Sequence, residues 1–523
     1  MRPRDGWRAT ARVSLLLCFA TPGLSAQRDG PGTSVADLLR QTRAYLDAGN
    51  VERARVSAET AAARSPESGE AQYLLGQVRE RQGDLASAVA AYGQAIRLAP
   101  AVAEAHDRLG FVLGRQGRTA DAIAAFAEAV RLNPRLFDAQ YHLGATRWWT
   151  RDLDGALPAL TAAVALRPGH AEARYYLGIT LEGLGRLEPA IAELRTAVRL
   201  NPSLAIARTR LGMALQAFGD QDGAIEQLQA AVTLDGSSAD ARNSLGLALS
   251  QKGRGEEAVD VLRQLVAARP DYLPARLNLG TALMQKGQLA EAATELRALL
   301  ALDPTHAEAA YNLGLALKQQ DDFAAAETEL RKAVALGPTL PDAPFTLGVV
   351  LWQTGRADEA LEQFRMALAR KPDYADACYM IGTVLKQQGA IPEAIAHFKD
   401  AIRYRPESAE AHRSLGQALG QQGQTAAAAT ELAEADRLDR RTADAQASTF
   451  AVSVGVQKLK THDTAGAIAQ FREAIRLADD NPQAHYQLAL ALRRLGARAE
   501  AQTHFDQARR LAPYLTVPAD DRR

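Results

Sequence analysis

The chain has 523 residues, of which 47% are hydrophobic, and its 61 basic and 61 acidic side chains give a net charge of zero. So large an apolar fraction without blocks of like charge excludes a chain that is disordered as a whole. Basic and acidic residues are intermixed, so the sequence offers no basic surface for a nucleic acid or an anionic bilayer. We expect no nucleic-acid partner.

Residues 1–26 have the pattern of a secretory signal peptide. A head with four arginines precedes an apolar stretch of eight residues, and the candidate cleavage sites follow Ser25 and Ala26. Cys18 does not fit a lipid-anchor signal, because the bulky Leu17 stands where a small residue should precede the cysteine. We therefore predict an exported protein, periplasmic or extracellular in a bacterium.

Removal of this signal peptide leaves a mildly acidic chain that begins with a linker, residues 27–34. The signal takes away four Arg and one Asp, so the mature chain has a net charge of −3. Its only cysteine is Cys378, which excludes an internal disulfide. No apolar run reaches the roughly 18 residues that a membrane span needs, and we predict no transmembrane helix in the mature chain.

The rest of the chain has an internal period of 34 residues. Eleven glycines recur at this spacing, and an alanine follows each of them twelve positions later. The glycines are Gly76, Gly110, Gly144, Gly178, Gly212, Gly246, Gly280, Gly314, Gly348, Gly382 and Gly416. Extending the frame gives fourteen repeats: twelve in residues 35–442, five inserted residues at 443–447, two repeats in residues 448–515, and a tail at 516–523.

Each repeat has the apolar spacing of two amphipathic helices. In the ninth repeat, Ala310, Leu313 and Leu317 form the stripe of a first helix, and a second stripe begins at Phe323 and ends at Leu336. Most repeats have a glycine between the helices, where it suits the left-handed residue that closes a helix. These glycines are Gly83, Gly117, Gly185, Gly219, Gly253, Gly287, Gly355, Gly389, Gly423 and Gly496. One helix pair cannot bury both of its faces, so the repeats must stack on one another.

The repeat resembles the tetratricopeptide repeat (TPR). The matching residues in the eleventh repeat are Tyr379, Ile381, Gly382, Leu385, Gly389, Ala394, Phe398, Ala401 and Pro406. The family's tryptophan near the start of the first helix is absent, and Gly236, Arg440 and Asp479 replace the closing proline. The resemblance implies an all-α fold, a right-handed α-solenoid (superhelix) of stacked antiparallel helix pairs. It also implies that the first helices line a concave groove that binds proteins or peptides.

Two places depart from the repeat. The first repeat has Thr42 where glycine is usual and Gln41 where leucine is usual, which we interpret as a polar cap on the array. Between the twelfth and thirteenth repeats, the extra residues 443–447 and Arg440 at the proline position predict a joint. Either the preceding helix runs on past Leu438 or the stack changes direction.

Five places in each repeat are expected to face the groove: the second, fifth, ninth, twelfth and thirteenth. The first, fourth, seventh, eighth and eleventh are committed to packing between helices. The fifth place is aromatic in seven repeats, where packing is the alternative to ligand contact. Trp148, Trp149 and Trp352 stand at the twelfth or thirteenth place. Large aromatics in a groove are typical interface anchors, with local packing again as the alternative.

Glutamine occupies the thirteenth place of six consecutive repeats. The row comprises Gln251, Gln285, Gln319, Gln353, Gln387 and Gln421. An amide both donates and accepts, so the row suits the backbone of an extended peptide; a duplicated solvated position is the alternative. Where the row passes Trp352 we predict a patch that binds a protein or peptide. The full set of candidate partner-binding residues is Tyr311, Leu315, Lys318, Gln319, Phe345, Val349, Trp352, Gln353, Tyr379, Lys386, Gln387, Trp148 and Trp149.

The second place is acidic in nine repeats. These residues are Glu70, Glu104, Asp138, Glu172, Asp240, Glu308, Asp342, Asp376 and Glu410. A carboxylate near a helix start is stabilised by the exposed amides and by the helix dipole. The alternative is an acidic rim that attracts basic peptides.

No residue pattern indicates catalysis, a metal site or a cofactor. The nine histidines are dispersed without a ligand spacing, and Cys378 is interpreted as a small packing residue. We predict a non-catalytic scaffold that binds other proteins. The alternative is a regulatory or adaptor array for a separate glycosyltransferase or envelope-assembly enzyme, because similar arrays precede the catalytic domain of O-linked N-acetylglucosamine transferases. We expect any catalysis to come from such a separate partner.

Overall fold

The computed structural model describes residues 33–512 and residue 515; the predicted signal peptide and the tail at 516–523 lie outside the described residues. The described chain contains 27 α-helices and no strand. The described residues divide into two compact bodies, an N-terminal body of residues 33–286 and a C-terminal body of residues 287–512 with residue 515. Within each body, consecutive helices pack on one another, so the predicted all-α solenoid is confirmed.

The N-terminal body has seven helix pairs and one further helix among its described residues. They are α1 (Val35–Asp47), α2 (Val51–Arg64), α3 (Gly69–Gln82), α4 (Leu85–Leu98), α5 (Ala103–Arg115), α6 (Thr119–Leu132), α7 (Phe137–Trp149), α8 (Leu153–Leu166), α9 (Ala171–Gly183), α10 (Leu187–Leu200), α11 (Ala205–Phe218), α12 (Gln221–Leu234), α13 (Ala239–Gln251), α14 (Gly255–Ala268) and α15 (Leu273–Gln285). In this body, the odd-numbered helices are the first helices of their repeats.

The C-terminal body has twelve helices among its described residues. They are α16 (Leu289–Leu302), α17 (Ala307–Gln319), α18 (Phe323–Leu336), α19 (Asp342–Gln353), α20 (Ala357–Arg370), α21 (Ala375–Gln387), α22 (Ile391–Tyr404), α23 (Ala409–Gln421), α24 (Thr425–Lys460), α25 (Thr464–Leu477), α26 (Pro482–Arg494) and α27 (Arg498–Leu511). Of all the helices described, none joins the length of a membrane span to the apolar character that a bilayer requires.

A residue in the left-handed conformation separates the two helices of most repeats. The ten glycines predicted for this role all have positive φ, between 73° and 96°. Arg151, Asp321 and His462 adopt the same conformation, with φ of 66°, 61° and 63°, in repeats that lack the glycine. The repeat therefore retains the geometry of the turn even where it loses the glycine.

The eighth-place glycine allows the first helix to lie against a large side chain of the second. In the tenth repeat this pair is Gly348 and Phe364, and a Cβ added at Gly348 would lie 2.6 Å from the ring. Gly76 is equally close to Tyr92. Phe364 and Tyr92 stand at the twenty-fourth place of their repeats and are fully buried. Each of these pairs thus buries an aromatic side chain between its own helices.

In the first repeat, the larger side chain of this pair is on the first helix and the smaller one is on the second helix. Thr42 replaces the glycine, and Ala58 replaces the large residue. Thr42 is fully buried, and its hydroxyl lies 2.9 Å from that of Ser57 and 2.8 Å from the carbonyl oxygen of Leu38. Thr42 therefore does not contribute to the expected polar cap, because the small Ala58 leaves room for its side chain inside the repeat.

The inserted residues lie within one continuous helix of 36 residues, α24. This helix is both the second helix of the twelfth repeat and the first helix of the thirteenth. The chain therefore has the first of the two arrangements expected at the joint, in which the helix runs past Leu438. Every residue from 439 to 447 is exposed, so this part of α24 lies between two packed regions without being covered by either.

Two imidazoles meet in the last repeat. Nδ1 of His485 on α26 lies 3.0 Å from Nδ1 of His504 on α27, and Nε2 of His485 lies 3.0 Å from the carbonyl oxygen of Asp479. Burial lowers the pKa of His504, and the neighbouring His485 adds to the effect. Because one ring must donate the shared proton and the other accept it, protonation of both rings breaks the hydrogen bond.

Acidification is therefore expected to loosen the last repeat. An imidazole with a lowered pKa in the folded state binds fewer protons than in the unfolded state, so stability is full above the unfolded pKa of about 6.5 and falls as the pH drops below it. Hydrogen exchange of residues 482–511, corrected for intrinsic rates, should become faster between about pH 7.5 and pH 5. The His504→Gln variant should show a smaller change, and an equal change in both proteins would exclude His504 as the cause.

Candidate functional site

A cavity of about 400 Å³ opens beside Trp352 in the tenth repeat. Its lining residues are Trp352, Gln353, Gly355, Ala357 and Gln387. Trp352 and Gln353 are the last two residues of helix α19, and Gln387 is the last residue of α21, which is the first helix of the next repeat. Gly355, with φ of 82°, turns the chain toward α20 without placing a side chain over the cavity. We call these five residues the Trp352 cavity.

The indole of Trp352 is held by the next repeat. Its Nε1 donates a hydrogen bond of 2.9 Å to Oε1 of Gln387. Because the indole N–H is satisfied and the ring is only partly buried, the remaining ring surface offers a fixed apolar contact. The amide nitrogen of Gln387 keeps its two N–H donors, which are not used in this bond.

The same hydrogen bond recurs in the N-terminal body. Nε2 of Gln216 donates to Oε1 of Gln251 at 2.8 Å, and the hydroxyl of Ser250 lies 2.5 Å from Oε1 of Gln285. In each case the side chain at the twelfth place of one repeat donates a hydrogen bond to the thirteenth-place glutamine of the next repeat. The glutamine row was predicted to donate and accept, and in these three glutamines the amide oxygen already accepts a hydrogen bond within the chain. Their N–H groups take no part in these bonds.

The other predicted patch residues lie on the same three first helices, α17, α19 and α21, but not in the cavity. The fifth-place rings pack inside their own repeats: Phe345 lies 5.8 Å from Phe364, and Tyr379 lies 5.9 Å from Phe398, between ring centroids. Burial raises the pKa of Tyr311. These three rings are partly buried, so they support the helix pairs and leave one edge exposed.

The remaining predicted residues differ in their exposure. Nζ of Lys386 lies 2.7 Å from Oε1 of Gln417 in the twelfth repeat. Leu315, Lys318 and Val349 are partly buried, and Gln319 is exposed. The cavity also includes two residues that the sequence did not indicate, Gly355 and Ala357. They belong to the turn after the first helix and to the start of the second helix, where no ligand contact was expected.

Trp148 and Trp149 lie at the end of α7 in the N-terminal body. The Trp148 ring packs edge-on against Tyr176 of the following repeat, with 5.7 Å between centroids. Trp149 is 39% exposed and lies 6.2 Å from Trp148. Trp148 therefore stabilises the stack, and Trp149 is the more accessible ring of the two.

The Trp352 cavity has no charged lining residue, and its charged neighbours are paired. Arg356 donates hydrogen bonds to Glu327 at 2.8 Å and to Glu359 at 2.5 Å. These bonds, with the one to Glu359 as the larger cause, raise the pKa of the guanidinium. Asp358 accepts a bond of 2.9 Å from the amide of Gln388. The cavity thus favours an uncharged group with an apolar side chain.

Several second-place carboxylates are used within their own repeats. Asp342 accepts a hydrogen bond of 2.6 Å from the hydroxyl of Tyr374, and Asp376 forms two bonds of 2.6 and 2.8 Å with Arg405. The tyrosine and the arginine belong to the loop that follows the second helix of the repeat. These carboxylates therefore hold the loop in place, which leaves less charge for an acidic rim.

Cys378 packs in the core of the eleventh repeat against Ala401 and Ala411. It is buried, and burial raises the pKa of its thiol to about 11, with the carboxylate of Asp400 adding to the shift. At neutral pH the sulfur is therefore a thiol rather than a nucleophilic thiolate. Over residues 33–512 and 515, no three His, Cys, Asp or Glu side chains are grouped as a metal would require.

Comparisons with solved structures return MamA, YrrB and the Naa15/Naa10 complex among their matches. MamA is 31% identical over 32% of this chain and 97% of its own, with a TM-score of 0.30. YrrB, described as a TPR protein with an unusual peptide-binding site, is 24% identical over 35% of this chain and 95% of its own, with a TM-score of 0.33. The Naa15/Naa10 complex bound to HypK-THB matches at 15% identity over 92% of this chain and 94% of its own, with a TM-score of 0.32. No curated protein matches the sequence.

Family models identify the repeat directly. One tetratricopeptide repeat model matches residues 39–103, 146–205, 209–272, 277–341 and 457–515. Three related models match residues 382–423, 317–381 and 103–136. The first model alone matches more than half of the chain, in the frame set by the 34-residue period and by the observed helix pairs. The chain belongs to the tetratricopeptide repeat family.

Proposed function

We propose that this chain is a non-catalytic scaffold that binds a segment of another protein, and that the Trp352 cavity is a main contact point. The observation that carries the proposal is the fixed indole beside an open volume of about 400 Å³, on the face formed by the first helices. Such a cavity suits one large apolar side chain, as interface anchors do.

The hydrogen-bond donors around the cavity define the rest of the partner. Gln353 is exposed, and the amide N–H groups of Gln387 take no part in the bond to Trp352, so both amides can donate to acceptors on a ligand. Backbone carbonyl groups of an extended peptide provide such acceptors. The preferred segment is therefore uncharged, extended and anchored by an aromatic or long aliphatic side chain.

The paired variant Trp352→Ala and Gln353→Ala is expected to weaken partner binding about 30-fold or more, because loss of a buried interface anchor costs about 2 kcal/mol. The partner is first identified by cross-linking and mass spectrometry in the native cells, and its affinity is then measured by calorimetry. Tyr404→Ala is the control, since this aromatic ring is exposed but lies on the second helix α22. Unchanged affinity of the paired variant would remove the cavity from the interface.

We also propose that the chain works outside the cytoplasm, as its first 26 residues suggest. Cell fractionation followed by N-terminal sequencing tests this location. Export predicts a mature chain that begins at Ala26 or Gln27. Recovery of the cytosolic chain with Met1 or Arg2 at its start would contradict export and leave the binding proposal unaffected.

A further inference from the structure

One stretch of α24 differs from every other helix described. In the other helices, successive buried residues are no more than four positions apart, because one face of each turn packs on a neighbour. In α24 the interval from Leu438 to the next buried residue, Ser448, is ten positions, and residues 439–447 are all exposed. We call residues 439–447 the exposed segment.

Both ends of the exposed segment are held by packed residues. Leu438, just before it, is 5% exposed. Just after it, the hydroxyl of Ser448 donates a hydrogen bond of 2.7 Å to the carbonyl oxygen of Ala474 on α25 and accepts one of 2.9 Å from the side-chain amide of Asn481. The exposed segment can therefore unfold locally without disturbing the packed region on either side.

Few interactions beyond the hydrogen bonds of the helix itself hold the exposed segment. Nη2 of Arg441 lies 3.0 Å from Oδ2 of Asp480, and Arg413 forms an ion pair with Asp439. All four side chains are at least 40% exposed, and such exposed ion pairs add little stability. Unpacked helices shorter than about 12 residues are marginal in water. The exposed segment should therefore open at a lower free energy than the packed helices.

The exposed segment contains two adjacent arginines, Arg440 and Arg441. Endoproteases cut the transiently opened state of a folded chain, and those with a carboxylate in the specificity pocket cut after a basic residue. Elsewhere, the connections between the described helices have only two to five residues. Opening one of these connections would unwind turns that pack on neighbouring helices, so the two arginines are the basic residues that a protease reaches most readily.

We propose that the exposed segment is a cleavage site for an endoprotease that cuts after arginine. The segment opens while the packed repeats on both sides stay folded, and the peptide bond after Arg440 or Arg441 is hydrolysed. One water molecule is consumed: its hydroxyl joins the carbonyl carbon, the C–N bond breaks, and the leaving nitrogen keeps the electron pair and takes the remaining hydrogen. The last two repeats become a separate chain, and the Trp352 cavity stays in the larger fragment.

Limited digestion of the mature chain with trypsin at neutral pH tests the proposal. Among the basic residues of 33–512, the first cut is expected after Arg440 or Arg441, and intact-mass spectrometry identifies the fragments. Helix content measured by circular dichroism should not change when this cut is made, because the packed repeats stay folded. A first cut at any other Lys or Arg of residues 33–512 would overturn the proposal.

The Ala443→Gly variant is expected to speed this cleavage about fivefold. Glycine disfavours the helix relative to alanine, and the cleavage rate follows the population of the opened state. Ala396→Gly is the matched control, since Ala396 is also exposed but lies within the packed helix α22. It should leave the rate of the cut in the exposed segment unchanged. Equal acceleration by both variants, or none by Ala443→Gly, would contradict local opening as the route to cleavage.

Hydrogen exchange measures the opening without a protease. After correction for intrinsic rates, the amides of residues 439–447 are expected to exchange at least about tenfold faster than those of residues 428–435 and 452–459 of the same helix. Uniform protection along α24 would refute the proposal, because the helix would then open only as a whole and would not present the two arginines separately.

Discussion

Replacing Phe364 by alanine is expected to lower the free energy of unfolding by about 3–5 kcal/mol. The ring is fully buried in the tenth repeat, against Gly348 on the first helix and Phe345 at the fifth place. Its removal leaves a cavity between α19 and α20. Because each repeat is stabilised by its neighbours, the loss should extend to the ninth and eleventh repeats. Urea unfolding followed by circular dichroism, with hydrogen exchange of residues 307–404, measures both effects.

Phe218→Ala provides the matched control. This ring is 53% exposed at the end of α11, so its loss should cost no more than about 0.5 kcal/mol. Equal losses for the two phenylalanines would show that burial within the helix pair does not determine the stability of the array.

Replacing Gly382 by leucine is expected to cost about 3 kcal/mol, because the side chain is forced into a packed ring. A Cβ at this position would lie 2.7 Å from Cε1 of Phe398, so α21 must move away from α22. Melting temperature and urea midpoint measure the loss. Hydrogen exchange should locate it in the eleventh repeat and its two neighbours.

The double variant Gly382→Leu with Phe398→Ala is expected to recover much of this loss. The two changes together nearly conserve volume, which cores tolerate far better than an increase or a decrease alone. The first repeat already has such a reversed pair, Thr42 with Ala58. A double-mutant cycle gives the coupling between the two positions. Losses that simply add would contradict the direct contact seen between Gly382 and Phe398.

The fold was predictable from the sequence because its determinants are local and repeated. The eighth-place glycine, the twentieth-place alanine and the turn glycine each act within one helix pair, so a period of 34 residues reveals all of them. The third place was missed as a packing position, although its alanines are buried in eleven consecutive repeats, from Ala71 to Ala411. Alanine there carries little periodic hydrophobic signal, since its side chain is small whether buried or exposed.

The candidate site was only partly predictable. Trp352 stood out as a tryptophan at a place outside the packing set, and Gln387 stood out as part of the glutamine row. Their mutual hydrogen bond, however, depends on the offset between neighbouring first helices. That offset is a property of the stack, and a sequence read one repeat at a time does not contain it. The same limit applies to Tyr379, for which the sequence left packing and ligand contact as alternatives. Its ring packs against Phe398, and the ligand contact stays a prediction. Choosing between binding and packing at aromatic places required the three-dimensional neighbours.

In the exposed segment at 439–447, the number of residues sets the direction in which the repeats that follow it point. Each residue added to a helix shifts the next packed repeat by about 1.5 Å along the axis and rotates it by about 100°. The five inserted residues thus rotate the last two repeats by about 140°, once full turns are discounted, relative to the same helix without them. A deletion or duplication of one codon here would change the direction of those repeats without altering a packed side chain. Evolution can therefore change the geometry of this protein at that segment without selection on its core.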